Sequence, residues 1–221
     1  MHWSQAVDLY CERTDPSFWA EPINALSNAA FLIAAAVAFG QYRRSGARDW
    51  PILALIVITA VVGVGSFIFH TVATEGAALF DIVPIAVFIY GYLFFALRRY
   101  LSLSLALSVA LLVGFAALTF AESALVPHGA LNGSHAYLPA LAATFAVGLL
   151  TRGPVGRLVL SAGVTFAVSL LFRTIDNAVC AAFPLGTHFI WHCLNAVLLY
   201  LLLRAALVDR ALASKSAPAE N

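Results

Sequence analysis

The chain has 221 residues, 62% of them hydrophobic and only 10% charged, with a mean hydropathy of +0.91. A soluble domain carries about 25% charged residues, so this composition excludes an ordinary soluble globular protein. The formal net charge of +1 says nothing about partners by itself, and no nucleic-acid partner is expected.

Residues 1–22 form a polar, acidic and aromatic segment without a basic n-region, so no cleaved signal is expected there and targeting falls to the first span. Apolar stretches of about 18–20 residues then recur along the chain, each long enough to cross a bilayer. Seven helices are predicted, over about Asn24–Tyr42, Trp50–His70, Ala77–Leu97, Leu101–Ala121, Ser134–Leu150, Val155–Phe172 and Gly186–Arg204. Gly, Pro and charge cluster between them, as helix ends require. The expected fold is all-α: a polytopic seven-transmembrane bundle over residues 23–204, with an outer segment at 1–22 and a cytoplasmic tail at 205–221 whose end, Ser214–Asn221, is disordered.

The basic residues sort by side. Arg43, Arg44, Arg48, Arg98, Arg99, Arg152, Arg157, Arg204, Arg210 and Lys215 fall on one face of the predicted bundle, leaving only Arg13 and Arg173 on the other. The second face carries Asp8, Glu12, Asp15, Glu21, Glu75, Asp81, Glu122 and Asp176. The positive-inside rule then places the N-terminus outside and the C-terminus in the cytoplasm. An even number of spans would destroy this asymmetry. Trp3, Tyr10, Phe18 and Trp19 suit an interfacial aromatic layer on the outer side.

Four ionisable residues sit at the outer ends of these spans: His70 at the end of the second, Asp81 in the first turns of the third, and His188 and His192 in the first turns of the seventh. Insertion scales penalise charged side chains at helix centres by roughly 2.5–3.5 kcal/mol, which keeps ionisable groups in spans rare and usually functional. His188 and His192, four apart, share a helix face and make the bidentate pair common in zinc sites, with His70 as a third ligand. Three protein ligands and an open position form the catalytic pattern, because zinc lowers the pKa of a bound water to about 7. Asp81 is placed as proton acceptor for that water, and Ser66, one turn before His70, can hydrogen-bond a ligand, the water or an oxyanion. Each residue also has a plainer reading: an interhelical histidine, Asp81 as a helix cap, Ser66 as a packing serine. His2, His128 and His135 fall in predicted loops or ends and read as solvated or interfacial. Arg173 and Asp176, three apart, can pair on one face as a clasp or orient a substrate headgroup.

The blocks YCER at Tyr10–Arg13, EPINALSNAAF at Glu21–Phe31, GVGSFIFH at Gly63–His70 with Asp81 eleven residues on, and GTHFIWHCLNA at Gly186–Ala196 together resemble the alkaline ceramidases. These belong to a superfamily of seven-span hydrolases that includes the adiponectin receptors. The resemblance covers about residues 8–204 and implies a zinc held by His70, His188 and His192, with Ser66 and Asp81 beside it. It implies hydrolysis of the N-acyl bond of ceramide, or of a related lipid amide, to sphingoid base and fatty acid. It also implies calcium near the N-terminus, with Glu12 and Glu21 matching two acidic positions and Tyr10 a backbone-carbonyl position, while Leu9 and Thr14 depart from the pattern. Cys11 and Cys180 lie in outer-side segments and can form a disulfide like one that family members carry, or stand as separate thiols. Cys193 reads as a packing residue.

A ceramide-like substrate would enter laterally from the lipid. A seven-span receptor or sensor with structural zinc is the rival reading. A proton-relay transporter is opposed by the lack of a repeat between chain halves. The expected location is a bacterial inner membrane with the site towards the periplasm, with a eukaryotic endomembrane as the alternative.

Overall fold

The computed structural model describes residues 3–46, 48–127 and 129–216. Among these the chain is helical, with a single isolated bridge between Ala6 and Thr74. The helices are α1 Pro22–Ser27, α2 Ala29–Arg44, α3 Trp50–Val72, α4 Glu75–Arg99, α5 Leu105–Leu125, a 3-10 segment Ala130–Tyr137 running into α6 Leu138–Leu150, α7 Gly153–Val179 and α8 His188–Ser216. With α1–α2 and the 3-10 segment–α6 each taken as one rod, this makes seven helices. The first six of these rods are long and apolar enough to cross a membrane.

Local chemistry fixes the starts. Asp49, Thr74 and Ser104 sit in extended backbone, and their side chains accept from Ile52, Ala77 and Leu107 N–H, capping α3, α4 and α5. α5, the fourth of the predicted helices, therefore begins at Leu105, four residues later than its sequence suggests, and ends at Leu125. Two helices run well past their expected ends. α7 continues to Val179 and so includes Arg173 and Asp176, and α8 continues past Arg204 to Ser216. His2, His128 and residues 217–221 lie outside the described residues.

The core lies between α2, α3, α7 and α8, with α4 and α6 completing it. Its buried side chains include Phe31, Ile52, Val62, Phe88, Val159, Phe166 and Leu203. α5 stands at the edge, with only 6% of its span buried. Its apolar surface therefore faces outward, as a lipid-facing helix requires.

The α3–α4 crossing explains one element of the site's geometry. Pro84 in α4 cannot donate to the carbonyl of Phe80, one turn earlier. Gly65 of α3 packs against that carbonyl so closely that an added Cβ would lie 1.8 Å from the Phe80 oxygen. Small residues allow such backbone approach inside membranes. Ser66 and Asp81, the next residue on each helix, are thereby brought to the same level. Gly65→Ala should force the helices apart at a cost near or above the upper end of the ~1–3 kcal/mol typical of overpacking. The expected result is a lower unfolding temperature in detergent, together with loss of any activity that needs both Ser66 and Asp81.

The N-terminal segment folds back over this end of the bundle. Val7 N–H donates to Ala73 O at 2.9 Å, while Glu75 and Gly76 N–H donate to Gln5 and Trp3 O at 3.0 and 3.1 Å. Cys11 and Cys180 are joined as a disulfide with Cα atoms 5.3 Å apart, tying this cover to the end of α7.

Candidate metal centre

His70 from the last turn of α3 and His188 and His192 from the first turns of α8 converge. One ring nitrogen from each lies within 4.8 Å of the others. The ring centroids are 5.1 Å (His70–His188), 4.7 Å (His70–His192) and 4.5 Å (His188–His192) apart. All three residues are at most 1% exposed.

The hydrogen bonds around the rings settle which nitrogens are free. His70 Nδ1 meets Glu21 Oε2 at 2.6 Å, and an ionised carboxylate can only accept, so Nδ1 carries the proton. Ser27 Oγ donates to Asn24 O at 2.8 Å and so accepts from His192 Nδ1 at 2.7 Å. In both rings this leaves Nε2 as a bare lone pair, buried and without a protein partner. His188 is clamped between aromatic faces, with Tyr10 stacked at 3.6 Å and Trp191 at 5.1 Å, and its Nδ1 is likewise buried without a partner. Buried polar atoms are normally hydrogen-bonded, so unpartnered nitrogens on three imidazoles at one point are what a divalent metal ligand set looks like. Metal-binding histidines usually donate their other nitrogen to a carboxylate, carbonyl or hydroxyl, and Glu21 and Ser27 fill that role. The donor set fits zinc.

Ser66 and Asp81 flank the triad. Ser66 is 1% and Asp81 9% exposed, and Ser66 Oγ and Asp81 Oδ1 are both buried without a hydrogen-bond partner. Asp81 is within electrostatic reach of His70, Ser66 and Arg173. Two unpaired oxygens beside three unpaired nitrogens form one cluster of buried polar atoms. All five residues singled out from the sequence for zinc chemistry thus lie together.

Other expectations meet a different arrangement. Glu12 and Glu21 do not form an open acidic cage for calcium. Glu12 accepts from Ile23 and Asn24 N–H at 2.6 and 2.7 Å. Glu21 is engaged by Arg13 Nε at 2.5 Å, Asn24 Nδ2 at 3.1 Å and His70. Burial works to raise the Glu21 carboxyl, but His70, Arg13 and Asn24 together hold it below its ordinary value. Burial raises Glu12, against the two backbone donors that pull it down. The Tyr10 carbonyl accepts from Arg13 N–H at 3.2 Å.

Arg173 and Asp176 do not pair. Asp176 Oδ1 accepts from Thr187 and His188 N–H at 2.6 and 2.9 Å, capping α8, and Oδ2 accepts from Cys11 N–H at 3.1 Å. Gly186, at φ +62°, is needed here because a Cβ would lie 2.2 Å from the Asp176 carboxylate. Arg173 instead donates to Asn132 O and lies over Tyr137 and Trp191, 5.5 and 5.7 Å from the ring centroids. His135 is 5% exposed and hydrogen-bonds Glu122, so it is a buried partner rather than a solvated one. Cys193 is exposed rather than packed in the interior.

The supporting roles of Ser27, Glu21, Tyr10 and Asp176 are set by contacts distant in sequence. One signal was available. Glu21, Asn24, Ser27 and Asn28 recur at intervals of three and four through a stretch that turns apolar, a polar stripe facing inward.

The family model described as Ceramidase matches residues 9–220. A search of curated proteins gave no match.

Proposed function

Because the chain belongs to the ceramidase family, we propose that it is an intramembrane zinc-dependent amidase. It hydrolyses the N-acyl bond of ceramide or a related lipid amide to a sphingoid base and a fatty acid. The observation that carries this reading is the convergence of three imidazoles with unpartnered nitrogens beside the unpaired oxygens of Ser66 and Asp81. A site of the receptor kind, with purely structural zinc, would recruit a fourth protein ligand, and among the described residues the group placed for a metal contains only the three histidines.

Zinc held by His70, His188 and His192 would act as a Lewis acid and lower the pKa of a water at the open position to about 7. Asp81 accepts a proton from the attacking water at its free Oδ1 and passes it to the nitrogen of the departing amine. Ser66 Oγ donates to the oxygen that gains charge as the carbonyl becomes tetrahedral. Glu21 and Ser27 hold two of the imidazoles in the tautomer that leaves Nε2 bare. Burial beneath Tyr10 and the N-terminal cover excludes bulk water, which strengthens each of these interactions.

The shape of the interior supports a lipid substrate. An almost wholly apolar cavity is lined by Phe88, Tyr137, Phe166, Trp191, Leu199 and Leu202, and Trp191 stacks on His188. Such a lining suits an alkyl chain. α8 supplies the seventh crossing, and the asymmetry of Lys and Arg supports an outer N-terminus and a cytoplasmic C-terminus. On that orientation the site lies towards the periplasmic side of a bacterial inner membrane.

The test is hydrolysis of a fluorescent ceramide by detergent-purified protein with zinc measured in the same sample. One equivalent of zinc is expected, with activity lost on chelation and restored by zinc. Zinc-loaded protein that releases no fatty acid from ceramide or any related lipid amide would overturn the proposal.

A further inference from the structure

An arginine fills the oxygen-rich pocket beside the histidines. Arg13 is 6% exposed. Its Nε donates to Glu21 Oε1 at 2.5 Å, its Nη1 to the carbonyls of Asp15 and Ser17 at 3.1 and 3.4 Å, and its Nη2 to the carbonyl of His70 at 3.3 Å. Four oxygens from three parts of the chain thus surround one cation: the 15–17 loop, the start of the first span and the end of α3. One carboxylate and several backbone carbonyls are also what a hard metal ion would collect. Here a guanidinium collects them.

Both buried carboxylates are met without a metal. Glu12 is the second carboxylate nearby, and both of its oxygens are met by backbone N–H. Glu21 alone needs a cation, and one guanidinium supplies one charge in a planar fork matched to carboxylate geometry. The donors that the family resemblance assigns to calcium are therefore already engaged, and calcium does not fit.

We infer that Arg13 is a tethered cation standing in for calcium, and that it acts as a positioning residue for the metal centre. It fixes Glu21, and Glu21 fixes the His70 ring through Nδ1. The first part is independent of the proposed function. The second rests on the reading of the histidines as a zinc site.

The tests separate the two. Zinc-loaded wild-type protein in calcium-depleted detergent buffer is given millimolar radioactive calcium. No retained calcium and no change in unfolding temperature are expected, and stoichiometric calcium binding would overturn the substitution of metal by arginine. Zinc affinity is then measured by competition with a chromogenic chelator. Arg13→Ala should weaken it by about tenfold, the lower end of the range for loss of an outer partner of a metal-binding histidine, because Arg13 acts through Glu21. Millimolar guanidinium should restore part of that affinity, a recovery that a merely structural defect would not give. Unchanged affinity in Arg13→Ala overturns the positioning role. If that variant does not fold, Arg13→Lys carries the same test, with a smaller weakening expected and an unchanged affinity decisive against it. Wild-type protein that binds no zinc would overturn the metal-centre reading and leave the calcium result standing.

Discussion

His192→Ala should reduce bound zinc far below one equivalent and lower ceramide hydrolysis by about three orders of magnitude or more. The expectation follows from geometry. His192 supplies one of three imidazoles within 4.8 Å of one another, and its Nε2 is free because Nδ1 is held by Ser27. A site with two remaining protein ligands falls below the three that catalytic zinc sites keep. The loss removes both Lewis-acid polarisation and the acidified water, effects that each contribute several kcal/mol to such reactions. Zinc stoichiometry by mass spectrometry, read alongside fatty-acid release, checks the prediction. Full zinc retention by the variant would remove His192 from the ligand set and with it the centre as described. Ser27→Ala should have a milder effect: it leaves His192 in place but frees the ring to turn, weakening zinc binding by about tenfold.

Asp81→Asn should keep the fold and the zinc but lose about 10²–10⁴ in turnover, the range attributed to a general acid–base group. The substitution is isosteric, so the crossing at Gly65 and Phe80 is undisturbed. An amide cannot accept the proton of the attacking water as a carboxylate can, nor deliver one to the leaving amine. The informative comparison is turnover at equal zinc occupancy, with the unfolding temperature confirming an intact bundle. A zinc-loaded Asp81→Asn protein that hydrolyses ceramide at the wild-type rate would show that Asp81 is not the base.

Much of the bundle can be read from the chain because bilayer-length apolar runs are a local property. The helix ends are harder. α7 was expected to stop near Phe172, since Arg173 and Asp176 look like connector residues. The helix continues because the Asp176 carboxylate is met by three backbone N–H groups, two of them from residues 187 and 188 and one from residue 11. Nothing within a local window announces such partners. The same holds at the site. His188 and His192 are visible as an i,i+4 pair, and Ser66, His70 and Asp81 by their depth in greasy helices. The bonds from Glu21 to His70 and from Ser27 to His192 join residues 49 and 165 apart. Arg13 is more opaque still. On the page it is a surface arginine in an acidic segment, and only folding carries it to the carbonyl at the end of α3.

The three imidazoles sit at residues 70, 188 and 192, and the disulfide joins residues 11 and 180. A chain emerging from the ribosome holds only one of the three nitrogens until almost its whole length has been translated. The centre is therefore a keystone set last: the three imidazoles cannot meet before the final helix arrives, although both cysteines of the disulfide precede that helix. Fragments of this polypeptide that stop short of that helix hold one imidazole of the three and cannot assemble the centre at all.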